Sequence, residues 1–336
     1  MKITDRRTLP RGGLSVPVFG LGGAQLGGLY RAMSDDNANA LLDGAWRRGV
    51  RHFDTAPYYG YTRSERRVGA ALAQRPRGEF LLSTKVGRLM RPGTTPIPGD
   101  EAWIEPLPFR PHYDYTHDGV MRSLDESLQR LGLTQVDMLY VHDIGAATHG
   151  ELHDLYWQQL TAGGGFRALE SLRRSGVARA VGLGVNEWQV VHASMREFDL
   201  DCAMLAGRYT LLEQESLVPL LDDCLARGIA IVAAGPFNSG VLAGGSSFNY
   251  ATASPAVLER VRGLQAVCAE FDVPLPAAAL QFPLAHPAVV SCIAGAHSEA
   301  ELHEVIDWLE TPIPRRFWQA LNQRGLIDGR APLPTT

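Results

Sequence analysis

Short runs of consecutive apolar residues recur along the chain, each following a stretch whose apolar positions have helical spacing. Eight runs occur, at residues 18–23, 52–56, 80–85, 138–143, 180–185, 202–207, 229–235 and 290–295. Unbroken apolar runs of this length are typical of parallel strands covered on both faces. Eight strand-and-helix units predict an α/β fold, a TIM (β/α)8 barrel spanning residues 1–336 as one domain, with a doubly wound sheet as the alternative.

Several predicted helices close in arginine followed by glycine, immediately before a strand. This pattern occurs at residues 47–49, 130–132, 173–176 and 227–228. Arginine in the last turn complements the negative end of the helix dipole, and glycine readily adopts the left-handed conformation that ends a helix. The pattern therefore supports the predicted boundaries between helices and strands.

Three segments are too long to be simple connections. Residues 86–115, 144–162 and 236–253 each follow a predicted strand. In a barrel such segments lie on the C-terminal face, where they shape a substrate pocket.

Composition adds limits on partners and location. The chain of 336 residues has a formal charge of -4 at pH 7, with 45% hydrophobic and 20% charged residues. This balance offers no basic surface for nucleic acid or an anionic membrane, so a small molecule is the expected partner. The N-terminus lacks the apolar segment of a signal peptide, and the four scattered cysteines are typical of a reducing cytoplasm. The oligomeric state is not determined by the sequence.

Polar side chains stand at the ends of consecutive predicted strands. Asp54, Lys85 and His142 occupy these ends, and Tyr59 follows Asp54 by five residues. In a barrel the strand ends converge on one mouth. A phenol there could exchange a proton if Lys85 lowered its pKa, if Asp54 held the lysine, and if His142 hydrogen-bonded the reacting oxygen.

In these motifs the sequence resembles the aldo-keto reductase family. The resemblance is carried by FDTAPYYG at 53–60, STK at 83–85 and LYVHD at 139–143, within a region from about residue 8 to 310. It implies an NAD(P)-dependent oxidoreductase on a TIM barrel, with Asp54, Tyr59, Lys85 and His142 as its catalytic residues.

The resemblance also implies a cofactor site. GLGGAQLGG at 20–28 is not a Rossmann G-x-G-x-x-G loop, because Gln25 stands where the third glycine is required. By resemblance, Gly22 and Gly23 admit the nicotinamide, and the helix beginning near His297 takes the adenosine phosphate. The implied cofactor-binding residues are Gly22, Gly23, Asn186, Phe237, Ser239, Gly295, His297, Glu301 and Glu304.

The chain departs from the family pattern at several of these positions. Asn186-Glu187 replaces the usual Ser-Asn, Ala206 replaces a glutamine, and Ala234 replaces the tyrosine that stacks on nicotinamide. We therefore expect Phe237 to supply the apolar surface that packs on the nicotinamide ring.

A further departure concerns the choice of cofactor. Glu301 falls where NADP-specific members have an arginine. A carboxylate would repel a 2′-phosphate and accept a hydrogen bond from a 2′-hydroxyl, which favours NAD over NADP.

The stretches at 113–133, 140–150, 206–214 and 235–245 resemble the subgroup of L-fucose or D-threo-aldose 1-dehydrogenases, which also includes pyridoxal 4-dehydrogenases. This implies hydride transfer from C1 of an aldose, giving a lactone. Oxidation of pyridoxal and general aldehyde or ketone reduction are the alternatives. The expected substrate contacts are Tyr58, His149 and Trp157.

Three other classes of protein compete with this interpretation: a Schiff-base aldolase that uses Lys85, a metal-dependent hydrolase, and a non-catalytic nucleotide-binding subunit. We expect no bound metal.

Overall fold

Eight parallel strands close into a barrel in the order of the chain. The structure is a computed structural model that describes residues 1–94, 97, 100 and 102–335. Each strand pairs with its two sequence neighbours, and the last pairs with the first. The strands are β1 (Phe19–Gly22), β2 (His52–Asp54), β3 (Leu81–Val86), β4 (Val136–His142), β5 (Ala178–Val185), β6 (Cys202–Ala206), β7 (Ala230–Ala234) and β8 (Val289–Ala294).

Helices surround the barrel and connect its strands. The connecting helices are α1 (Asp35–Arg47), α2 (Arg63–Leu72), α3 (His117–Leu131), α4 (Gly165–Ser175), α5 (Trp188–Ser194), α6 (Asp222–Arg227) and α7 (Leu275–Gln281), and α8 (Glu299–Glu310) follows the last strand. Two further helices, Pro255–Phe271 and Arg315–Gln323, pack against one another. Short 3-10 or π segments occur at Gln25–Gly27, Arg77–Glu79, Gly150–Leu152, Leu217–Leu221, Asn238–Ala243 and Pro283–Ala285.

Local sequence explains where these helices begin and end. The side chains of Ser34 and Thr116 accept hydrogen bonds from backbone amides in the first turns of α1 and α3. At the other end, Gly132 and Gly228 have φ values of 65° and 67°, the left-handed conformation that closes α3 and α6. The arginine-glycine pattern thus marks helix ends at these positions.

The barrel is closed at its N-terminal end by a hairpin of strands Arg6–Thr8 and Ser15–Pro17. Leu9, Leu14 and Val16 from this region pack against Met138 and Tyr140 inside the barrel. A larger apolar layer lies between the strands and the helices. The opposite, C-terminal end is therefore the end at which a cavity can form.

The long segments predicted on the C-terminal face contain short elements of their own. Strands Arg88–Pro92 and Phe109–Tyr113 form a hairpin, and Ser247–Phe248 pairs with Ala251–Thr252. Helices Ala146–His149 and His153–Leu160 follow β4. Across the described residues, no helix has both the length and the apolar character needed to span a bilayer.

Candidate active site

The C-terminal ends of β2, β3 and β4 place three polar side chains close together. Asp54 ends β2, Lys85 is the penultimate residue of β3, and His142 ends β4. The three strands pair in parallel, β2 with β3 and β3 with β4. The strand ends consequently share one mouth of the barrel.

Lys85 and Asp54 form an ion pair that is almost completely buried. Lys85 Nζ lies 2.7 Å from Asp54 Oδ2 and also donates to the Thr55 carbonyl at 3.0 Å. Ser83 Oγ donates to the other oxygen of Asp54 at 2.7 Å. Burial disfavours the ammonium, but Asp54 and Tyr59 outweigh this effect, so the pKa of Lys85 is raised. Lys85 therefore remains a cation held in one position.

Tyr59 lies on the loop after β2, and its ring covers Lys85. Lys85 Nζ is 4.6 Å from the ring centroid, and the His142 ring is edge-on at 5.9 Å. The loop backbone contacts a second loop directly. A Cβ on Gly27 would lie 2.5 Å from the Tyr59 carbonyl carbon, and a Cβ on Gly60 would overlap the Gly27 carbonyl. Glycine at both positions permits this approach, which fixes the position of Tyr59.

The pKa of Tyr59 differs from the expectation based on Lys85 alone. Tyr59 is half-buried beside the cavity, and enclosure by the protein raises its pKa. The charge of Lys85 opposes this rise and Asp54 adds to it, so the net direction is upward. Lys85 shares its charge with Asp54 and therefore compensates only part of the desolvation of a phenolate. Tyr59 is accordingly a neutral phenol near pH 7.

The imidazole of His142 lies among cations and aromatic rings. Burial lowers its pKa, and Arg88 and Lys85 lower it further, to well below the usual value of 6.5. The Tyr58 ring approaches edge-on, with centroids 6.2 Å apart. His142 is therefore neutral, the form that can hydrogen-bond a reacting oxygen without adding a charge.

A cavity of about 700 Å³ opens at this mouth. Its volume is within the range of cofactor and substrate sites. Asp54, Tyr59, Lys85 and His142 all line it. So do several residues predicted for cofactor or substrate, namely Gly22, Gly23, Tyr58, Asn186, Phe237, Ser239, Gly295 and His297.

One side of the cavity suits an elongated phosphate-bearing cofactor. The loop after β7 lines it with backbone of positive φ, including Gly235 at 63° and Gly240 at 106°. The cavity reaches Gly295 and His297, just before α8. The dipole of this twelve-residue helix favours a phosphate at its N-terminus, whereas Glu299 and Glu301 in its first turn oppose a phosphate placed next to their carboxylates. These groups fit the nicotinamide dinucleotide that the family implies.

Asn186 is tied into a network at the cavity wall. Its backbone N and Nδ2 both donate to Asp143 Oδ1 at 3.1 Å, and Tyr250 Oη donates to its Oδ1 at 3.2 Å. Tyr250 comes from the long segment 236–253 and lines the cavity. Sequence reasoning named Asn186 but missed both partners. Their only signal was their position, Asp143 directly after His142 and Tyr250 in a loop expected on this face.

Two predicted cofactor contacts also have structural roles. A Cβ on Gly23 would lie 2.6 Å from both the Asp54 carbonyl oxygen and Ser64 Oγ, so this glycine is required for packing within the protein. Phe237 lines the cavity, but its ring packs edge-on against Trp308 of α8, with centroids 5.8 Å apart. The structure thus places Phe237 on the α8 side of the cavity.

Glu301 and Glu304 are not among the cavity-lining residues of the described chain. Glu301 Oε2 accepts a hydrogen bond from the His297 amide at 2.8 Å, and its own amide donates to Ser298 Oγ. This arrangement resembles a capping box at the start of α8. Arg31 Nη1 lies 3.7 Å from Glu301 Oε1. Glu304 is exposed.

His149 and Trp157 likewise lie outside the described cavity wall. His149 Nε2 is 2.9 Å from Tyr115 Oη, which itself donates to the His142 carbonyl at 2.8 Å. Burial lowers the pKa of His149 to about 4. Trp157 packs edge-on against Phe166 of α4 at 6.5 Å. In this arrangement His149 supports the backbone of His142 through Tyr115.

A polar and aromatic wall of the cavity was not identified from the sequence. Tyr58 Oη donates to Asp100 Oδ2 at 2.6 Å, and Tyr61 Oη donates to the same oxygen. The Trp103 ring lies 5.5 Å from the Tyr58 ring and 5.8 Å from the Tyr59 ring. Asp100 and Trp103 line the cavity and belong to segment 86–115. The only signal was the proline, glycine and aromatic content of that segment.

The sequence matches the Aldo/keto reductase family over residues 18–324, and the chain belongs to this family of oxidoreductases. Members of the family use nicotinamide cofactors. The predicted barrel and the predicted family are thereby confirmed.

Similar proteins narrow the comparison. The chain is 47% identical to pyridoxal 4-dehydrogenase of Microbacterium luteolum, over 98% of this chain and 99% of that protein. It is 41% identical to D-threo-aldose 1-dehydrogenase of a Pseudomonas species, over 94% and 96%.

Solved structures with lower identity share the fold. An aldo-keto reductase of Bacillus halodurans in its holo form superimposes with a TM-score of 0.72 at 23% identity, covering 97% of both chains. Glycerol dehydrogenase of Gluconobacter oxydans gives 0.73 at 18% identity, covering 100% of this chain and 98% of that one.

Proposed function

We propose that this protein oxidises the anomeric carbon of an aldose of the L-fucose or D-threo type to a lactone, with NAD as hydride acceptor. The observation that supports this most directly is the group formed by Asp54, Lys85, Tyr59 and His142 beside one cavity. The similarity to D-threo-aldose 1-dehydrogenase supports the substrate class.

The chemistry assigns a separate task to each side chain. A nicotinamide cofactor bound in the cavity between Gly22 and His297 would supply the acceptor for the hydride that leaves C1. As the C1–H bond breaks, the phenolate form of Tyr59, whose population grows as the pH rises toward the raised pKa of Tyr59, takes the proton of the anomeric hydroxyl and a C1=O bond forms, which gives the lactone. Lys85, held by Asp54, stabilises the phenolate form of Tyr59. Neutral His142 hydrogen-bonds the same oxygen and orients it.

Pyridoxal is the second candidate substrate. In its internal hemiacetal form it presents the same carbinol as a cyclic sugar, so the same proton and hydride transfers apply. The 47% identity to pyridoxal 4-dehydrogenase favours it. The wall of Trp103 and Tyr58 could stack on a pyridine ring, and the Asp100 carboxylate could accept a hydrogen bond from the N–H of the protonated ring nitrogen.

NAD is proposed over NADP because Glu301 places a carboxylate near the start of α8. A 2′-phosphate there would meet this negative charge, while a 2′-hydroxyl could donate to it. We further propose that the enzyme acts in the cytoplasm, which the four buried cysteines without a disulfide support.

The test is a screen of purified enzyme for NADH formation with aldoses and pyridoxal, using NAD and NADP in parallel. We expect turnover of NAD with L-fucose, D-arabinose or a related sugar. Tyr59→Phe should lower kcat by about 100-fold or more and leave NAD binding, followed by calorimetry, intact. A higher kcat/KM for pyridoxal than for every sugar would establish the second candidate. Retention of wild-type kcat in Tyr59→Phe would overturn the mechanism.

A further inference from the structure

A buried arginine lies directly behind the active site and has no task in the mechanism above. Arg88 begins the strand Arg88–Pro92, three residues after Lys85. Its Nη2 donates to Asp143 Oδ2 at 2.6 Å, and only 4% of its surface is exposed. Asp143 directly follows His142 and is also buried. Two opposite charges are therefore fixed next to a proposed catalytic imidazole.

The energetics of this pair point to a function other than stability. Desolvating two ions offsets most of their attraction, so a buried ion pair is commonly no more stabilising than apolar residues of similar volume. Here the guanidinium also covers the Tyr58 ring at 4.4 Å, and its Nε has no hydrogen-bond partner among the described residues. We therefore expect Arg88 to act on the site beside it rather than to add stability.

Asp143 connects the arginine to two parts of the site. Its Oδ2 binds Arg88 and lies 3.6 Å from His142 Nε2. Its Oδ1 accepts both hydrogen bonds from Asn186, on the cofactor side of the cavity. One oxygen of the carboxylate therefore binds Asn186, while Arg88 neutralises the other oxygen, which faces the imidazole.

The charged and aromatic groups that surround His142 explain why the charge of Asp143 has to be neutralised. Lys85 on β3 is paired with Asp54 on β2, and the Tyr58 and Tyr59 rings face the imidazole edge-on. Asp143 directly follows His142 at the end of β4 and would be an anion without a paired cation if Arg88 were absent. An anion this close would draw a proton onto the imidazole and hold the ring by an ion pair.

We propose that Arg88 is a positioning residue that neutralises Asp143, so that Asp143 can hold Asn186 while His142 stays uncharged and available to the reacting oxygen. This inference rests on the proposed role of His142 in oxidation. It assigns no contact with substrate to Arg88, which acts only through Asp143 and His142.

The test measures the protonation of His142 itself. Protein labelled with 15N in its histidines is titrated by NMR from roughly pH 5 to pH 8, the range in which an unperturbed imidazole changes charge. His142 is assigned from the signal missing in His142→Gln. In the wild-type protein His142 should stay neutral throughout, whereas in Arg88→Met it should become protonated within this range. Arg88→Lys keeps the cation and should keep His142 neutral.

A double variant keeps the test decisive if Arg88→Met does not fold. Arg88→Met with Asp143→Asn leaves no uncompensated buried charge. The pKa of His142 should then be lowest in the wild-type protein, intermediate in the double variant and highest in Arg88→Met. Arg91→Met is the matched control, because Arg91 lies on the same strand but pairs with Glu126 on the half-exposed side. It should titrate like wild type.

Kinetics provide a second readout. In Arg88→Met we expect kcat for sugar oxidation to fall about tenfold or more below the new His142 pKa and to recover above it. A His142 that stays neutral to the same low pH in wild type, Arg88→Met and the double variant would overturn the inference. If the NMR ranking holds but wild type oxidises no hemiacetal, the proposed function fails while the assignment of Arg88 stands.

Discussion

The Nζ atom of Lys85 lies 4.6 Å from the centroid of the Tyr59 ring, close enough for its charge to act on the phenol. Even so, the pKa of Tyr59 is raised, because enclosure by the protein outweighs the ammonium. The lysine therefore limits a rise rather than producing a fall. The pH dependence of the catalysed rate in each direction follows from this relationship.

We expect sugar oxidation and carbonyl reduction to have opposite pH dependences. Oxidation requires Tyr59 to accept a proton, so kcat/KM should rise about tenfold per pH unit up to the raised pKa of Tyr59. Reduction requires the neutral phenol, so its rate should be retained at neutral pH and lost above that pKa. The measurement is a pair of pH profiles for kcat/KM in the two directions. Coincident profiles would contradict the assignment.

The same profiles test the role of Lys85. Lys85→Met combined with Asp54→Asn removes the cation without leaving a buried carboxylate unpaired. The pKa of Tyr59 should then rise, because losing the charge and hydrogen bond of Lys85 outweighs losing the smaller opposite effect of Asp54, and the oxidation profile should shift to higher pH. An unshifted profile in a folded double variant would show that Lys85 does not tune Tyr59.

Asp100 is expected to bind the part of the substrate that lies away from the reacting carbon. It lines the cavity and accepts hydrogen bonds from Tyr58 and Tyr61. Asp100→Asn removes the charge with little change in shape. KM for the preferred hemiacetal should rise about tenfold, equivalent to one charge-assisted hydrogen bond, with kcat nearly unchanged.

The control for this variant is Asp125→Asn, at an exposed position on α3 that should leave both constants unchanged. A fall in kcat with unchanged KM in Asp100→Asn would place Asp100 at the reacting centre instead.

Cofactor choice can be tested at the start of α8. Glu301 accepts from the His297 amide and has Arg31 3.7 Å away. Glu301→Gln keeps an acceptor for the helix cap but removes the negative charge and leaves Arg31 available to a phosphate. The ratio of kcat/KM for NADP to that for NAD should increase about tenfold. Glu304→Gln, on the exposed face of the same helix, should not change it.

Sequence alone predicted the features that depend on periodicity and chain order. The eight apolar runs correspond to the eight barrel strands within a few residues, because short unbroken runs of this kind are typical of parallel strands covered on both faces. Asp54, Lys85 and His142 met at one mouth because parallel strands in a barrel share their C-terminal end.

What sequence could not predict depends on contacts between distant segments and on the degree of enclosure. Asp100 meets Tyr58 across 42 residues, and Arg88 meets Asp143 across 55, with no periodic pattern to indicate either pair. The upward shift of the Tyr59 pKa depends on how much protein surrounds the ring. The packing of Phe237 on Trp308 depends on the path of a loop that composition alone does not determine.

The contact between Gly27 and the backbone of Tyr59 gives the last prediction. A methyl group at residue 27 would lie 2.5 Å from the Tyr59 carbonyl carbon, so Gly27→Ala must push the two loops apart. We expect a loss of about 1–3 kcal/mol in the free energy of unfolding, the usual cost of overpacking.

The same displacement moves Tyr59 away from Lys85, so kcat should fall more than tenfold at a temperature where the variant is fully folded. Gly78→Ala is the matched control, since a Cβ there meets nothing within 4 Å. Denaturant unfolding and steady-state kinetics on both variants provide the measurement. If Gly27→Ala lost stability but kept its kcat, the loop contact would hold the fold together without positioning the phenol.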